Sequence, residues 1–293
     1  MTGPVPILDG LGTLAEGYDA FLVDLWGAVH DGHAPYPGVV DCLRRLRGAG
    51  KKVLLLSNAP RRAARVARAL DDIGVPRDSY DGVQTSGDET RDALAERADP
   101  WHAALGRAFF HLGPERDWGL LDGLDYRRVY ELAEADFVLD TGFFDDETES
   151  VEDYDSFLAE ALARRLPMVC ANPDRQVMRG PRTVPCAGAL AAAYEARGGD
   201  VRYHGKPHAG VYRASLARLG GLAPDRVLAV GDSLATDIAG AVAFGIDAVL
   251  VTAGIHVDEF HAASGAAPDA RAVEAACERA GCRPVAAVAA VVW

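Results

Sequence analysis

Short apolar runs that end in polar residues alternate with Ala-, Leu- and Arg-rich stretches along most of this chain. The clearest apolar runs are AFLVDLW, KKVLLLSN, RAFFHLG, ADFVLDTG, LPMVCANPD, RVLAVGDS and DAVLVTAG. Stretches with helical periodicity lie between them, at residues 39–49, 61–73, 154–165, 187–197, 208–219 and 236–244. Such alternation is typical of parallel sheets with crossover helices, so the pattern predicts an α/β fold.

Several of the predicted strands end in reactive or hydrogen-bonding side chains. Asp24 ends the first run, Ser57 and Asn58 end the second, and residues 172–174 (NPD) and 231–233 (GDS) end two later runs. A buried strand gains nothing from a terminal acid unless a cation or a hydrogen-bond donor meets it. In open parallel sheets, ligands bind beyond the carboxyl ends of the strands. These strand ends therefore predict one shared site.

Composition and charge narrow the class of protein. The 293 residues include 30 basic and 43 acidic side chains, and the net charge of −13 disfavours a nucleic-acid-binding protein. The N-terminus lacks the basic start and long apolar stretch of a secretory signal, and no run approaches the roughly 20 apolar residues of a membrane helix. The five cysteines are scattered without CxxC spacing. We therefore expect a cytoplasmic protein with no structural disulfides and no membrane contact.

The segment RVLAVGDSLATDIAG (226–240) places one acid at a predicted strand tip and another just beyond it. Asp232 and Asp237 are about one helical turn apart, a spacing that lets two carboxylates converge on a hard cation such as Mg²⁺. The structural alternative makes Asp232 a turn residue and Asp237 a first-turn acid that complements the helix dipole. Asp24 has a similar alternative as a helix-capping residue. Taken singly, these motifs leave both interpretations open.

Two further segments have the chemistry to hold a phosphate group. In VLLLSNAPRRA (53–63), Ser57, Asn58 and the free backbone N–H groups of the following helix suit an anion. In HGKPHAGVY (204–212), Lys206 occupies a Gly-Lys-Pro turn just before a predicted helix and delivers one ammonium group. Taken alone, each segment is better explained as an ordinary turn.

The order of these four motifs resembles that of the haloacid dehalogenase superfamily of aspartate-nucleophile hydrolases. Asp24 in DLWG matches the first motif of that family and Ser57 in LLLSN the second. Lys206 in GKP matches the third motif, and Asp232 and Asp237 in GDSLATD match the fourth. Four ordered motifs are far more specific than any one of them.

The long insert between the second and third motifs, together with ANPD and GKPHAGVY, is similar to the NagD-like branch of this family. That branch includes sugar-phosphate and nucleotide phosphatases. The resemblance implies a Rossmann-like parallel-sheet core at 1–87 and 186–293, with an inserted α/β cap at 88–185. It also implies Mg²⁺-dependent hydrolysis of a small phosphate monoester, and so a small phosphorylated metabolite as partner. The same oxygen ligands accept Mn²⁺, and the sequence leaves a homodimer open.

The resemblance assigns roles to the matching residues. Asp24 would attack phosphorus in line and form an aspartyl phosphate. Ser57 and Lys206 would hold the transferring phosphoryl group, and Lys206 would also moderate the repulsion between nucleophile and substrate. Asp24 and Asp232 would hold the metal through their carboxylates, and Trp26 through its backbone carbonyl. Asp237 would bind the metal through water or orient the other ligands.

Trp26 departs from the phosphatases of the superfamily, which carry a second aspartate two residues after the nucleophile. That acid protonates the leaving group and activates the hydrolytic water, whereas an indole N–H does neither. Such assistance is worth about 10²–10⁴ in rate. Either His30 or Asp31 substitutes, or the substrate needs little acid help. One remaining alternative is an enzyme that transfers the phosphoryl group or carries out another substitution reaction with Asp24 as the nucleophile. The other is a catalytically degenerate protein that binds phosphorylated metabolites.

Arginines of the predicted cap and of the second motif are candidates for recognising the substrate. The segment ANPDRQVMRGPRTVP (171–185) carries three of them, Arg175, Arg179 and Arg182. Arginines matched to a second phosphate or a carboxylate would be functional, and the alternative is that they are solvated surface residues. The predicted substrate-binding residues are Asn58, Arg61, Asn172, Asp174 and Arg175.

Overall fold

The computed structural model describes residues 4–179, 182–260 and 267–293. Its strands are β1 (Ile7–Leu8), β2 (Ala20–Asp24), β3 (Lys52–Ser57), β4 (Gly82–Thr85), β5 (Ala108–Leu112), β6 (Arg127–Val129), β7 (Phe137–Asp140), β8 (Met168–Cys170), β9 (Gln176–Arg179), β10 (Arg182–Pro185), β11 (Val201–Tyr203), β12 (Val227–Gly231), β13 (Asp247–Val251) and β14 (Ala286–Val288). Its α-helices are α1 (Val39–Gly48), α2 (Ala63–Asp72), α3 (Ser86–Glu96), α4 (Pro100–Ala104), α5 (Asp155–Ala163), α6 (Ala187–Ala196), α7 (Ala209–Arg218), α8 (Ala239–Phe244) and α9 (Ala270–Ala280). Every apolar run quoted above contains one of these strands.

The larger sheet has the strand order β1-β14-β13-β12-β2-β3-β4, and all of its neighbouring strands are parallel. Successive side chains of a strand point to opposite faces of the sheet. Phe21 and Val23 of β2 therefore pack into one apolar cluster, while Leu22 packs into the cluster on the other face. Burial on both faces explains why the run FLV is continuously apolar rather than alternating.

A second, smaller sheet lies between β4 and α7 in the sequence. Its order is β11-β8-β7-β5-β6, again with parallel neighbours. Strands β9 and β10 form a separate antiparallel pair beside it. The predicted α/β class, with a parallel-sheet core and an inserted α/β domain, is thereby confirmed.

The second sheet includes residues beyond the predicted cap boundary at 185. β11 pairs with β8, and α6 buries Leu190 and Tyr194 in the same apolar cluster as Met168 of β8. Residues 187–203, which the sequence analysis assigned to the core, therefore extend the inserted domain. The sequence VRY of β11 is a partly exposed edge strand without an apolar run, so hydrophobic periodicity gave no signal for it.

The chain crosses between the two sheets at two adjacent points, through α3 on the way out and through residues 204–208 on the way back. Glu89 of α3 accepts hydrogen bonds from the backbone N–H of Gly205 at 2.7 Å, and its other oxygen lies 3.2 Å from Nδ1 of His204. Nε2 of His204 lies 3.1 Å from Nε2 of His102, so the returning segment also contacts α4. Among the described residues, no helix is long and apolar enough to span a membrane.

Candidate active site

The predicted catalytic residues meet at the carboxyl edge of the larger sheet. β2 lies between β3 and β12, so the strand ends bring Asp24, Ser57 and Asp232 side by side. Lys206 arrives from the segment that returns from the second sheet. Its ammonium Nζ donates hydrogen bonds to the carboxylate of Asp24 and, at 2.7 Å, to Oδ1 of Asp237. We call the buried set Asp24, Ser57, Asn58, Lys206, Asp232 and Asp237 the floor of the cleft.

Three carboxylates of the floor form a compact cluster. Single carboxylate oxygens of Asp24, Asp232 and Asp237 all lie within 4.8 Å of one another. Burial and the neighbouring Asp237 raise the pKa of Asp24 well above its usual range, although Lys206 opposes the shift. Burial, with a contribution from Asp237, raises the pKa of Asp232 to about 7. When the cluster is fully ionised, its negative charges outnumber the single ammonium group, so the site suits a hard divalent cation with oxygen ligands.

Two glycines allow the backbone to close around Asp232. Gly27 has φ = +79°, and a Cβ at this position would lie 1.9 Å from Oδ2 of Asp232. A Cβ at Gly254 would lie 2.0 Å from the same oxygen. The backbone N–H of Ile255 donates to that oxygen at 2.7 Å. The turn at Gly27 therefore leaves room for the carboxylate of Asp232, which the hydrogen bond from Ile255 holds in place.

Asn58 joins the second motif to the third. Its side-chain oxygen accepts the backbone N–H of Lys206 at 2.7 Å, and its NH₂ group donates to the carbonyl of Lys206 at 3.0 Å. The same NH₂ group donates to Oδ1 of Asp174 at 2.9 Å, while Oδ1 of Asn172 accepts the backbone N–H of Asp174 at 3.0 Å. These three predicted substrate-binding residues therefore line the cleft as one hydrogen-bonded unit that also positions Lys206.

Trp26, two residues after Asp24, lines the cleft. The ring meets the imidazole of His30 edge to face, with centroids 4.9 Å apart. Nδ1 of His30 accepts the backbone N–H of Gly32 at 3.0 Å, and burial lowers the pKa of His30 to about 4. At neutral pH the imidazole is therefore uncharged, and the nitrogen that could take up a proton is already occupied.

Asp31, the other candidate substitute for the missing acid, belongs to a tight turn. One of its carboxylate oxygens accepts the backbone N–H groups of His33 and Ala34, at 2.8 and 2.9 Å. These hydrogen bonds lower the pKa of Asp31. A carboxylate held in this way is a poor proton donor, so the structure favours neither His30 nor Asp31 as a replacement for the second aspartate.

Four arginines and two aspartates line another part of the cleft. We call this set the arginine wall; it consists of Arg61, Arg65, Arg116, Arg179, Asp117 and Asp146. The volume of the whole cleft is about 330 Å³. Arg61 pairs with Asp117 at 3.0 Å across the junction between the core and the inserted domain. Arg179 binds both oxygens of Asp146, at 3.0 and 2.8 Å, and Arg116 binds the same carboxylate at 2.7 Å.

The arginine wall was only partly foreseen. Arg61 lines the cleft as predicted, but Arg175 is exposed in the bend before β9 and lies outside the cleft lining, where Arg179 takes part instead. Asp146 lies in the acidic stretch 143–156, which reads as a solvated loop. Arg61 lies in the bend before α2 and Arg65 in the first turn of that helix, so helical spacing in the sequence does not pair them.

A parallel-sheet core with an inserted α/β domain, and a cleft lined by residues of both, defines the class of capped α/β hydrolases. A family model described as haloacid dehalogenase-like hydrolase matches residues 21–127, and a HAD-hydrolase-like model matches residues 203–284. A crystal structure of a haloacid dehalogenase-like hydrolase from Brucella suis 1330 is 38% identical, with a TM-score of 0.83 over 97% of this chain and 100% of that one. The chain belongs to the haloacid dehalogenase-like hydrolase family, as its four motifs predicted.

Relatives of known activity are more distant. D-glycerol 3-phosphate phosphatase from Mycobacterium tuberculosis is 31% identical over 83% of this chain, which spans 65% of that protein, less than two thirds of its length. A crystal structure of a glycerol phosphate phosphatase from that species in complex with magnesium is 29% identical, with a TM-score of 0.63 over 89% of this chain and 78% of that one. NagD from E. coli K-12, at 22% identity and a TM-score of 0.66, shares the fold over 93% of this chain and 96% of its own.

Proposed function

We propose that the chain is a Mg²⁺-dependent phosphatase that hydrolyses a small phosphate monoester through a phosphorylated Asp24. The observation that carries the proposal is the buried ammonium group of Lys206, which bridges Asp24 and Asp237 beside Asp232. This arrangement supports Asp24 as the nucleophile, Lys206 as the phosphate-binding cation and the carboxylate cluster as a metal site within one cleft. The phosphatase activity of the relatives named above supports it.

The carboxylate cluster fits the metal that this proposal requires. Asp24 and Asp232 would supply carboxylate oxygens and Trp26 its backbone carbonyl, while Asp237 would orient the other ligands and Lys206. When bound, Mg²⁺ would neutralise charge between the Asp24 carboxylate and the phosphoryl oxygens. A Cβ at Gly27 or Gly254 would collide with the Asp232 carboxylate, so the two glycines leave this carboxylate free to take the required position.

The positions of the side chains support the following reaction. An oxygen of Asp24 attacks phosphorus and forms an aspartyl phosphate, while the bond from phosphorus to the ester oxygen breaks. Lys206 holds the nucleophile and contacts the phosphoryl oxygens. Oγ of Ser57 accepts the backbone N–H of Ala59 at 3.2 Å, which leaves its own hydrogen free for a phosphoryl oxygen. Water then attacks the phosphorus, phosphate leaves and Asp24 is regenerated.

Trp26 restricts which substrates suit this route. The Trp26 side chain supplies no acid for the departing alkoxide, and His30 and Asp31 are both engaged within their own turn. We therefore expect esters with good leaving groups to react fastest. The same observation favours a second candidate function, transfer of the phosphoryl group from Asp24 to an acceptor that is more nucleophilic than water.

The test is phosphate release from a panel of phosphate esters with Mg²⁺, by the wild type, Asp24→Asn and the exposed control Asp225→Asn. We expect at least one ester for which the wild type and Asp225→Asn exceed Asp24→Asn by about 10³-fold or more, with loss of activity in EDTA. Equal rates for the wild type and Asp24→Asn on every ester would overturn the hydrolase proposal. Phosphorylation of Asp24 that accumulates without phosphate release, and is discharged by an added alcohol, would favour transfer.

A further inference from the structure

The arginine wall gives the cleft a second region of positive charge, separate from Lys206. The wall has four guanidinium groups, and two carboxylates of the cleft lining, Asp117 and Asp146, form ion pairs within it. Glu147 approaches Arg179 at 3.7 Å, but its side chain is 56% exposed and its charge is screened by water. A chain with a net charge of −13 therefore concentrates an excess of positive charge in one part of its cleft.

The contacts of the wall leave hydrogen-bond donors unused. Each guanidinium group has five N–H donors. Arg116 and Arg179 both bind the carboxylate of Asp146, which is one acceptor group for two cations. Arg65 donates to the backbone carbonyl of Arg116, which brings no compensating charge. An incoming anion would therefore find donors in a fork geometry without having to break every existing pair.

Burial strengthens the electrostatic interactions of any anion that binds in this region. The Asp117 side chain is 1% exposed and lies 3.0 Å from Nε of Arg61. Burial raises the pKa of Asp117 and lowers the pKa of Arg61, which indicates that both charges are poorly solvated. An anionic group held here would interact with arginine through a medium of lower polarity than bulk water. The cleft volume of about 330 Å³ limits that group to a small molecule.

We propose that the preferred substrate is a small phosphate monoester whose leaving group carries a second anionic group, a carboxylate or a second phosphate, bound by Arg61, Arg116 and Arg179. The inference rests on the proposed function, because the first phosphate occupies the floor near Asp24 and Lys206. The second anion reaches the arginine wall in the same cleft. Glycerol 3-phosphate has no such second group.

Matched substrates test the preference. Glycerol 3-phosphate and 3-phosphoglycerate share a three-carbon skeleton, but 3-phosphoglycerate has a carboxylate where glycerol 3-phosphate has a hydroxymethyl group. Glycerol 1,3-bisphosphate has the same skeleton with a second phosphate group at that end. We expect wild-type kcat/KM to be at least about 10-fold higher for one of the two doubly anionic esters than for glycerol 3-phosphate. The ester that is favoured identifies the second anion. A kcat/KM that is equal or higher for glycerol 3-phosphate would overturn the proposal.

Arg179→Gln and Arg116→Gln remove wall charges, and Arg213→Gln removes an exposed charge outside the cleft lining as a control. We expect each wall variant to reduce the preference for the doubly anionic ester about tenfold, mainly through KM, and Arg213→Gln to preserve it. An unchanged preference in both wall variants would contradict the assignment.

Binding measurements separate this inference from the proposed function. Calorimetric titration of Asp24→Asn and of Asp24→Asn/Arg179→Gln with 3-phosphoglycerate, glycerol 1,3-bisphosphate and glycerol 3-phosphate needs no turnover. If the wild type hydrolyses no ester but Arg179 still confers tighter binding of a doubly anionic ligand, the anion site stands and the hydrolase proposal fails. If esters are hydrolysed without any such preference, the hydrolase proposal stands and the anion site fails.

Discussion

The floor and the arginine wall are both charged, but they are built in opposite ways. The floor is almost fully buried, with Lys206 3% and Asp24 7% exposed, and Lys206 is hydrogen-bonded to Asp24, Asp237 and Asn58. The wall is buried at Asp117 but partly open to water at two of its arginines, with Arg116 45% and Arg179 30% exposed at the side chain. Buried charges fix one geometry because moving them is costly, whereas half-exposed charges can exchange partners. The floor is therefore suited to the chemical step common to all substrates, and the wall to the choice among them.

The largest expected effect breaks the charge balance of the floor. Lys206→Met leaves Asp24 and Asp237 buried without their cation, so we expect a loss of about 3–5 kcal/mol in the free energy of unfolding and of at least about 10³-fold in kcat for every ester. Urea denaturation and phosphate release measure the two effects. Lys51→Met, at a partly exposed lysine, is the control. A stability loss no larger than that of the control would show that the floor is not held by this ion pair.

A smaller effect tests whether the floor depends on shape as well as charge. Gly27→Ala places a methyl group against Oδ2 of Asp232, whereas Gly221→Ala, at a similar φ of +76°, meets no atom within 4 Å. Both variants suffer the cost of a positive φ, about 1 kcal/mol. Only Gly27→Ala should also weaken Mg²⁺ binding, by about 10–100-fold in the concentration needed for half-maximal activity. Equal Mg²⁺ dependence in the two variants would mean that the Asp232 carboxylate tolerates displacement.

The next prediction concerns the edge of the floor at Trp26. Trp26→Asp supplies the missing acid, so we expect hydrolysis of an alkyl phosphate to rise about 10-fold relative to an aryl phosphate, whose leaving group needs little protonation. Trp26→Phe, which keeps an aromatic ring without the acid, should leave that ratio unchanged. The same shift in both variants would assign the effect to lost packing against His30 rather than to proton transfer.

The smallest effect lies in the inserted domain, at Asp140. This carboxyl is fully buried, and burial raises its pKa well above the usual range. The folded state therefore binds a proton that the unfolded state releases, so the stability present at low pH declines as the pH rises towards the pKa of the folded state. Asp140→Asn keeps an oxygen for the backbone N–H of Gly142 and removes this dependence. We expect its urea midpoint to exceed that of the wild type at pH 8, with the difference shrinking at pH 5; a constant difference would contradict this.

The floor was predictable from the sequence because buried parallel strands leave a strong signal. The continuous apolar runs before Asp24, Ser57 and Gly231 locate the strand ends, and the parallel order brings those ends to one edge. Most of the wall was not predictable, because Arg116 and Asp117 lie in a 3-10 helix (Glu115–Leu121) and Asp146 in a turn of the inserted domain, and none of them follows a long apolar run. Arg175 is exposed in a bend and Arg179 is half-buried in β9, a difference that composition and spacing do not encode.

The two crossings near Glu89 have a mechanical consequence. The segment that leaves β11 is fastened to α3 through His204 and Gly205, and the next residue is Lys206. The ammonium group that is bonded to Asp24 is thus attached by a few bonds to the point where the inserted domain joins the core. A rotation of that domain about the junction would act on Lys206 directly, and would couple the opening of the cleft to the contact between Lys206 and Asp24.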